Sequence, residues 1–371
     1  MLVARAGGRP ACARGTRVTL AYGVLRGGGV CARVDGHIVD LSDVDPLFAA
    51  SSLNGFMSRG PDFWQQTSGR VDGGNEVESA TLGMPFEVAD YVDFYSSLAH
   101  ATNLGRMFRP DSEPLLPNWR WLPVGYHGRA GTVVPSGTPV RRPSGQRRPP
   151  GAAAPAFGPS VRLDIELEAG FVIGVPSRIG EPVPVERALD HVFGMVLVND
   201  WSARDVQAWE YQPLGPFLGK SFATSVSHWV VPLSELADRR VAAAEPQEPE
   251  PLPYLREEPW AYDIPLEVEL NGTVIARSNT RHLYWSIAQQ IAHLTANGAS
   301  LRTGDLLATG TISGTEREER GSLIELSWNG EEPIELADGS TRTFLEDGDE
   351  VVLRGEPLGE VRGRIEPATT D

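Results

Sequence analysis

This sequence has few cysteines, a negative net charge and no long apolar run. The chain contains 2 cysteines, Cys12 and Cys31, too few for a disulfide framework or a cysteine metal cage, and a reducing cytoplasm fits this composition best. The formal charge of -16 at pH 7 argues against a nucleic-acid-binding surface, because phosphate contacts need clustered lysine and arginine. No run of about 18 apolar residues occurs, so we expect no membrane-spanning helix.

Length and turn-forming residues predict a mainly β protein of two domains. A chain of 371 residues exceeds the roughly 250 to 300 residues at which one hydrophobic core stops growing. The 40 glycines and 30 prolines favour strands joined by turns, and Asp35-Gly36 is typical of a hairpin. We interpret residues 1–16, which lack the apolar segment of a secretory signal, as a disordered leader, and the alternative is a transit peptide. Residues 17–83 then form a small N-terminal β domain, and residues 84–371 form the larger second domain.

Carboxylates recur on the faces and at the ends of predicted strands. Alternating apolar residues over 161–167 predict a half-buried strand on which Glu166 and Glu168 share one face, roughly 6.5 to 7 Å apart at the backbone. Asp93 and Asp200 lie near other predicted strand ends. If these side chains meet, an all-oxygen site would suit Mg²⁺ or Ca²⁺ rather than zinc. The alternative is the exposed polar face of an edge strand.

The segment Asn199–Thr224 holds the densest mixture of chemically capable side chains. Arg204 and Gln207 are three residues apart, so a helical turn would project both side chains from one face. Prolines and glycines before Lys220 predict a constrained loop that fixes the positions of Lys220 and Thr224. The alternative is a solvated surface loop. The tryptophans and Gly-Pro pairs beside the charges argue against it, because solvated loops are usually built from small polar residues.

A histidine and a glutamate complete the list of candidate groups. The serines at 96–97 can cap a helix that carries His100 near its start, although a lone histidine is more often structural than catalytic. Glu325 falls on a predicted strand over 322–328, where the alternative is a solvated strand residue. The glycine-bounded segment 310–314 is typical of a tight turn that presents a hydroxyl or an N–H group to a ligand.

Three further features concern the second half of the chain. Asn271-Gly272 predicts a second hairpin. A helix is expected from about Leu283 to just before Gly298. The proline- and glutamate-rich stretch over about 237–260 is too polar to form a core, so we interpret it as a surface loop.

Several separated blocks resemble the fumarylacetoacetate hydrolase family. They include Asp93-Phe-Tyr-Ser-Ser, His100-Ala-Thr-Asn, Pro117-Asn-Trp, Leu122-Pro-Val-Gly-Tyr-His-Gly-Arg129, Leu163-Asp-Ile-Glu-Leu-Glu168, Asn199–Thr224 and Gly310-Thr-Ile-Ser-Gly314. The agreement in order and spacing extends from about Tyr22 to about Arg364. The resemblance implies a mainly β (α+β) fold with a small N-terminal SH3-like β-barrel. It also implies a C-terminal mixed β-roll that holds a divalent cation, Mg²⁺ and/or Ca²⁺, and assembly as a homodimer.

The resemblance further implies a role for each candidate residue. The implied cation ligands are Asp93, Glu166, Glu168 and Asp200, bordered by Lys220 and Thr224. The implied substrate contacts are Tyr95, Arg109, Gln207, Tyr211 and Thr311. The implied general base is His100, oriented by Glu325, and the implied oxyanion hole consists of Arg204, Gln207 and Lys220.

The activity implied by the resemblance is hydrolysis of the carbon–carbon bond of a small dicarboxylate diketone. The substrate would be 4-fumarylacetoacetate, cleaved to fumarate and acetoacetate in the last step of tyrosine and phenylalanine breakdown. One alternative is a related acylpyruvate hydrolase, decarboxylase or isomerase, but such relatives usually lack the N-terminal domain. A non-catalytic metal-binding or scaffold protein is the other alternative, and the presence of His100, Lys220 and Glu325 counts against it.

Overall fold

The N-terminal part of the protein is a four-stranded antiparallel sheet with two short helices. The computed structural model describes residues 20–369, so the predicted leader at 1–16 lies outside the described residues. The strands, in sheet order, are β1 Ala21–Val24, β2 Val30–Val34, β3 His37–Asp40 and β4 Asn75–Val77, and the helices between β3 and β4 are α1 Asn54–Met57 and α2 Pro61–Ser68. Asp35 and Gly36 have φ angles of 51° and 81°, which confirms the predicted hairpin turn.

Strands also dominate the rest of the chain. In chain order the elements are β5 Tyr91–Phe94, α3 Leu98–Phe108, β6 Gly125–His127, β7 Val133–Pro135, β8 Val140–Arg141, β9 Ser144–Arg147, β10 Ala156–Pro159, β11 Leu163–Asp164, β12 Leu167–Ile173, β13 Val192–Asp200, β14 Ser202–Ala203, α4 Arg204–Glu210, β15 Thr224–Val226, β16 Val231–Pro232, β17 Arg240–Ala242, β18 Trp260–Tyr262, β19 Pro265–Leu270, β20 Thr273–Asn279, α5 Ile287–Thr295, β21 Leu306–Ala308, α6 Leu323–Leu326, β22 Ile334–Glu335, β23 Thr341–Arg342, β24 Glu350–Gly355 and β25 Gly359–Glu366. Over residues 20–369, no helix is long and apolar enough to cross a membrane.

Two larger sheets organise this part of the fold. An eight-stranded mixed sheet has the order β6-β5-β21-β12-β13-β15-β7, with β16 also paired to β13. A five-stranded sheet has the order β20-β19-β24-β25-β8. The pairs β5/β21, β7/β15 and β8/β25 are parallel, whereas the other pairs in these two sheets are antiparallel. This arrangement confirms the mainly β fold with a small N-terminal β unit and a mixed C-terminal one.

Both faces of the eight-stranded sheet are buried, as β13 shows. Val196 and Val198 pack into a core shared with Tyr22 of the N-terminal sheet. Met195 and Leu197 belong to a second core, which the five-stranded sheet and α5 help to build. Polar side chains at the end of this sheet therefore lie inside the protein rather than on a solvated face. The predicted division of the chain between residues 83 and 84 stays a prediction.

Two local predictions at the candidate site are wrong. Residues 161–167 do not form one half-buried strand, because β11 and β12 are separate and Glu166 lies between them. Glu166 and Glu168 are both buried, because the polar positions also point inward, where Arg204 and Lys220 pair with Glu166 and the Gly310 N–H group donates to Glu168. Glu325 lies on α6 instead of a strand. The first two N–H groups of this helix donate to the Asp164 carboxylate, a tertiary contact that no local pattern reveals.

Other local predictions hold with adjusted boundaries. Ser97 caps α3, and Asn271-Gly272 joins β19 to β20. Helix α5 begins at Ile287, four residues later than expected, because Ser286 provides its N-cap. The surface-loop prediction for about 237–260 is wrong in part, because β17 lies in this stretch, Leu255 is fully buried in the core and the buried Gln247 donates to the Tyr284 carbonyl.

Candidate active site

Four carboxylates meet at one end of the eight-stranded sheet. Asp93 lies on β5 and pairs through the backbone with the last residue of β21, while Glu168 is near the start of β12. Asp200 ends β13 and pairs with Thr224 at the start of β15, so the neighbouring strands bring all these residues to the same edge. One side-chain oxygen from each of Asp93, Glu166, Glu168 and Asp200 lies within 4.8 Å of the other three. We call these four residues the carboxylate cage.

The carboxylate cage fits a hard divalent cation. Asp93 Oδ1 and Glu168 Oε1 are buried and accept no hydrogen bond from the described residues. A buried polar atom without a partner is costly, and a bound cation would remove that cost. Carboxylate oxygens are the ligands that Mg²⁺ and Ca²⁺ prefer.

The electrostatics of the cage point to the same conclusion. Burial raises the pKa of Asp93 and of Glu168 well above their usual range, and repulsion from neighbouring carboxylates raises both further. Burial also raises the pKa of Asp200, although Lys220 counteracts it. Burial would raise the pKa of Glu166 too, but Lys220 and Arg204 together hold it below its usual range. Burial and mutual repulsion thus disfavour the charged forms of these carboxyls, and a bound divalent cation would offset both effects.

Lys220 and Thr224 border the cage. The Nζ atom of Lys220 lies 2.6 Å from both Glu166 Oε2 and Asp200 Oδ2, and the Thr224 hydroxyl donates to Asp200 Oδ1 at 2.8 Å. Burial would lower the pKa of Lys220, but Asp200 and Glu166 raise it above its usual range. Lys220 is the only lysine in a sequence with 33 basic residues. A compact ammonium group fits between two carboxylates where a planar guanidinium would need more room.

His100 and Glu325 form a buried pair beside the cage. His100 Nδ1 lies 2.7 Å from Glu325 Oε2, and both side chains are almost completely buried. Asn103, Ser313 and Ser322 also donate hydrogen bonds to the Glu325 carboxylate. Burial would raise the pKa of Glu325, but His100, Asn103 and Ser322 lower it to about 2. A proton on Nδ1 that faces Glu325 leaves Nε2 free to accept one.

Arg204 and Gln207 project from one face of α4, as their spacing predicts. Arg204 Nη1 lies 2.7 Å from Glu166 Oε1 and 3.3 Å from Gln207 Oε1. Arg204 Nε donates to Asp164 Oδ2 at 2.7 Å, whereas Nη2 is buried with no acceptor among the described residues. The arginine is therefore held at two nitrogens and keeps a free donor.

The remaining predicted residues lie in different surroundings. The Tyr95 ring packs edge-on against His100, with ring centroids 5.2 Å apart. The hydroxyl of Thr311 is buried without a hydrogen-bond partner in the described part of the chain. Arg109 is the C-cap residue of α3 and donates to the Pro114 carbonyl at 2.6 Å. Tyr211 is 40% exposed at the end of α4, so its contact with substrate stays a prediction.

Sequence reasoning missed residues that support this site. Asp164 lies in the predicted strand two residues before Glu166, so alternation places it on the same face as Glu166 and Glu168. Only the two glutamates were identified as candidates. Asn103 follows His100 by almost one helical turn, and this spacing on α3 would have indicated a shared partner. No comparable signal identifies Ser313 or Ser322, whose contacts with Glu325 depend on the tertiary fold.

Comparisons with known proteins agree with the site geometry. The model of the fumarylacetoacetate hydrolase C-terminal family matches residues 90–366. The chain is 48% identical to fumarylacetoacetase of Rattus norvegicus over 88% of this chain and 86% of the rat protein. It is 44% identical to fumarylacetoacetase of Homo sapiens over 94% of this chain and 95% of the human protein.

Solved structures share the fold at lower identity. A fumarylacetoacetate hydrolase from Exiguobacterium antarcticum superposes with a TM-score of 0.61 at 18% identity, over 95% of this chain and all of that one. A probable 2-hydroxyhepta-2,4-diene-1,7-dioate isomerase from Mycobacterium abscessus has a TM-score of 0.60 at 17% identity over the same shares. The family match and the identities to curated relatives are decisive: the chain belongs to the fumarylacetoacetate hydrolase family.

Proposed function

We propose that this protein is a metal-dependent hydrolase that cleaves 4-fumarylacetoacetate with water into fumarate and acetoacetate, the last step of tyrosine and phenylalanine breakdown. The observation that carries the proposal is the buried His100–Glu325 pair beside the carboxylate cage. It occurs in a chain that is 44–48% identical to curated fumarylacetoacetases over most of its length. Solved relatives with other activities are below 25% identity and support the fold only.

The cage would hold Mg²⁺ or Ca²⁺ through Asp93, Glu166, Glu168 and Asp200. A bound cation would supply positive charge to the oxygens of the diketone, which makes acetoacetate a better leaving group. Lys220 keeps Glu166 and Asp200 in place through its two ion pairs. Thr224 fixes the second oxygen of Asp200.

His100 acts as the general base. Its Nε2 atom takes a proton from water, and the resulting hydroxide adds to the carbonyl carbon on the fumaroyl side of the scissile bond. Glu325 holds the imidazole by Nδ1 and balances the positive charge that the ring acquires. When the carbon–carbon bond breaks, its electron pair goes to the acetoacetate carbon, and the proton from His100 is returned there.

Arg204, Gln207 and Lys220 stabilise the alkoxide of the tetrahedral intermediate. The free Nη2 of Arg204 is a preorganised donor in a water-poor site. Gln207 uses its Oε1 to accept from Arg204, so its amide nitrogen is turned to donation. Loss of one such donor typically lowers the rate by about 10²- to 10³-fold.

The other candidate residues would bind the substrate. Arg109, Tyr95 and Tyr211 would bind a substrate carboxylate. Arg109 would supply the local positive charge that this anion needs in a protein of net charge -16. The unpartnered hydroxyl of Thr311 would donate to the substrate.

We further propose that the chain forms a homodimer and works in the cytoplasm. The near-complete alignment with curated relatives supports the assembly that the family resemblance implies. The proposed organisation is a leader at 1–16, an SH3-like domain at 17–83 and a catalytic domain at 84–371. Size-exclusion chromatography with light scattering tests the dimer, and a monomeric active enzyme would overturn it.

The activity is tested by following the ultraviolet absorbance of fumarylacetoacetate. Purified protein with Mg²⁺ or Ca²⁺ should bleach this absorbance and should lose the activity with a chelator. His100→Ala should abolish turnover while the fold persists. His191→Ala is the matched control, because His191 is bonded to the Val175 carbonyl outside the site. An inactive wild-type protein would refute the reaction, and full activity of His100→Ala would refute the base. A panel of acylpyruvates and other diketones separates the alternative enzymes.

A further inference from the structure

Asp164 is a buried carboxylate that has no role in the proposed reaction. Asp164 is the last residue of β11, and its side chain is fully buried. Oδ1 accepts hydrogen bonds from the backbone N–H groups of Ile165 and Leu323, each at 2.7 Å. Oδ2 accepts from the Ile324 N–H group at 3.1 Å and from Arg204 Nε at 2.7 Å. Both oxygens are therefore fully used, and they contact two separate parts of the site.

The first of these parts is the oxyanion hole. Asp164 holds Arg204 by Nε, and Glu166 holds it by Nη1, so the plane of the guanidinium is fixed at two points. The remaining Nη2 has no acceptor among the described residues. A planar guanidinium that is held at two nitrogens has a fixed orientation, so the direction in which Nη2 can donate is fixed as well.

The second part is the helix that carries the partner of the general base. Helix α6 spans only Leu323–Leu326, and its N-cap residue Ser322 makes no capping hydrogen bond with its side chain. Ser322 instead donates to Glu325. Asp164 accepts from the first two N–H groups of α6 and so replaces the missing cap.

We propose that Asp164 is a positioning residue that fixes the oxyanion-hole residue Arg204 relative to the Glu325–His100 pair. This inference rests on the proposed function, because it assigns Asp164 a purpose only if Arg204 and His100 act in the reaction. One carboxylate between Arg204 and α6 links the group that stabilises the alkoxide to the group that orients the base. The two parts come from distant stretches of the chain, and Asp164 contacts both.

Asp164→Asn tests the proposal with little change in volume. The new amide nitrogen would face the N–H donors of Arg204 or of α6, so at least one of these contacts is lost. We expect kcat to fall by about 10²-fold, the typical effect of one lost donor, with KM changed by less than about threefold. Affinity for Mg²⁺ or Ca²⁺, measured by calorimetry, should stay within about threefold of wild type, because Asp164 is outside the cage.

A double-mutant cycle tests whether Asp164 acts through its partners. In an Arg204→Gln background, Asp164→Asn should lower kcat by less than about tenfold, because the partner is already lost. An undiminished effect in that background would overturn the proposal. A large rise in KM at constant kcat, or a loss of cation affinity as large as the loss of kcat, would also overturn it.

The matched control is Asp349→Asn, which removes another buried carboxylate held by an arginine and a backbone N–H group. Asp349 contacts Arg342 and Glu346 instead of the site, so kcat should stay within about threefold of wild type. If Asp164→Asn does not fold, hydrogen exchange in Arg204→Gln replaces it. The amides of Leu323 and Ile324 should exchange faster in that variant, and unchanged exchange would refute the link. An inactive wild type would refute the proposed function instead, since the exchange result does not depend on activity.

Discussion

Lys220→Met isolates the charge balance of the carboxylate cage. The substitution keeps a long flexible side chain but removes the ammonium group that lies 2.6 Å from Glu166 and from Asp200. All three side chains are at most 6% exposed, so water cannot replace the lost charge. The variant therefore has two buried carboxylates next to two others, with Arg204 as their nearest remaining cation.

The expected magnitude follows from this geometry. Removing one partner of a buried ion pair typically lowers the free energy of unfolding by about 3–5 kcal/mol, because the other charge stays buried and unpaired. Here one ammonium serves two carboxylates, which places the loss near the upper end in the absence of a divalent cation. A cation at 100 times its dissociation constant stabilises any binding-competent fold by about 2.7 kcal/mol. The gain should be larger in the variant than in the wild type, because the competing ammonium is gone.

Urea unfolding with and without Mg²⁺ or Ca²⁺ measures both quantities. Arg342→Met is the control, since Arg342 pairs with the buried Asp349 away from the cage and its loss should not respond to cation. Equal stability of Lys220→Met and wild type without cation would refute the charge argument. An equal cation-induced gain in both proteins would refute the competition between Lys220 and the cation.

Three further predictions concern neighbouring groups. The pKa of Glu325 is about 2 against an ordinary 4.5, so its stabilisation is complete above about pH 4.5 and is lost as the pH falls toward 2. Acid unfolding of Glu325→Gln should therefore be less steep than that of the wild type; an identical profile would contradict the assignment. Gly310→Ala should weaken cation binding at least about tenfold by calorimetry, because Gly310 has a φ of 75°, its N–H donates to Glu168, and a new Cβ would lie 2.2 Å from the Phe94 carbonyl oxygen. Thr311→Val should raise KM about fivefold or more with little loss of stability, since it removes a hydroxyl without a protein partner; unchanged kinetics would remove Thr311 from the substrate site.

The parts of the site that were predicted correctly depend on residues that are close together in the sequence. Arg204 and Gln207 share a face of α4 because their spacing is helical, and Ser97 caps α3 because serine is a good N-cap. The carboxylates of the cage were recognisable as candidates because they lie at strand ends. Their meeting was a hypothesis, since pairing between β5, β21, β12 and β13 involves residues far apart in the chain.

The parts predicted poorly depend on tertiary partners. Alternation implies a solvated polar face, yet Glu166 and Glu168 are buried because Arg204, Lys220 and the Gly310 N–H group compensate them. Glu325 looked like a strand residue because α6 is too short to show helical periodicity. Asp164 caps α6 by accepting hydrogen bonds from its first two N–H groups, and these contacts join positions about 160 residues apart.

The single lysine of this chain also makes the active site chemically addressable. Apart from the α-amino terminus, Lys220 is the one primary amine in the sequence. Amine acylation needs an unprotonated and accessible nitrogen, and Lys220 is buried between two carboxylates that raise its pKa. Amine-reactive labels should therefore spare Lys220 in the folded protein. Modification of Lys220 would report, by mass spectrometry, that the cage has opened.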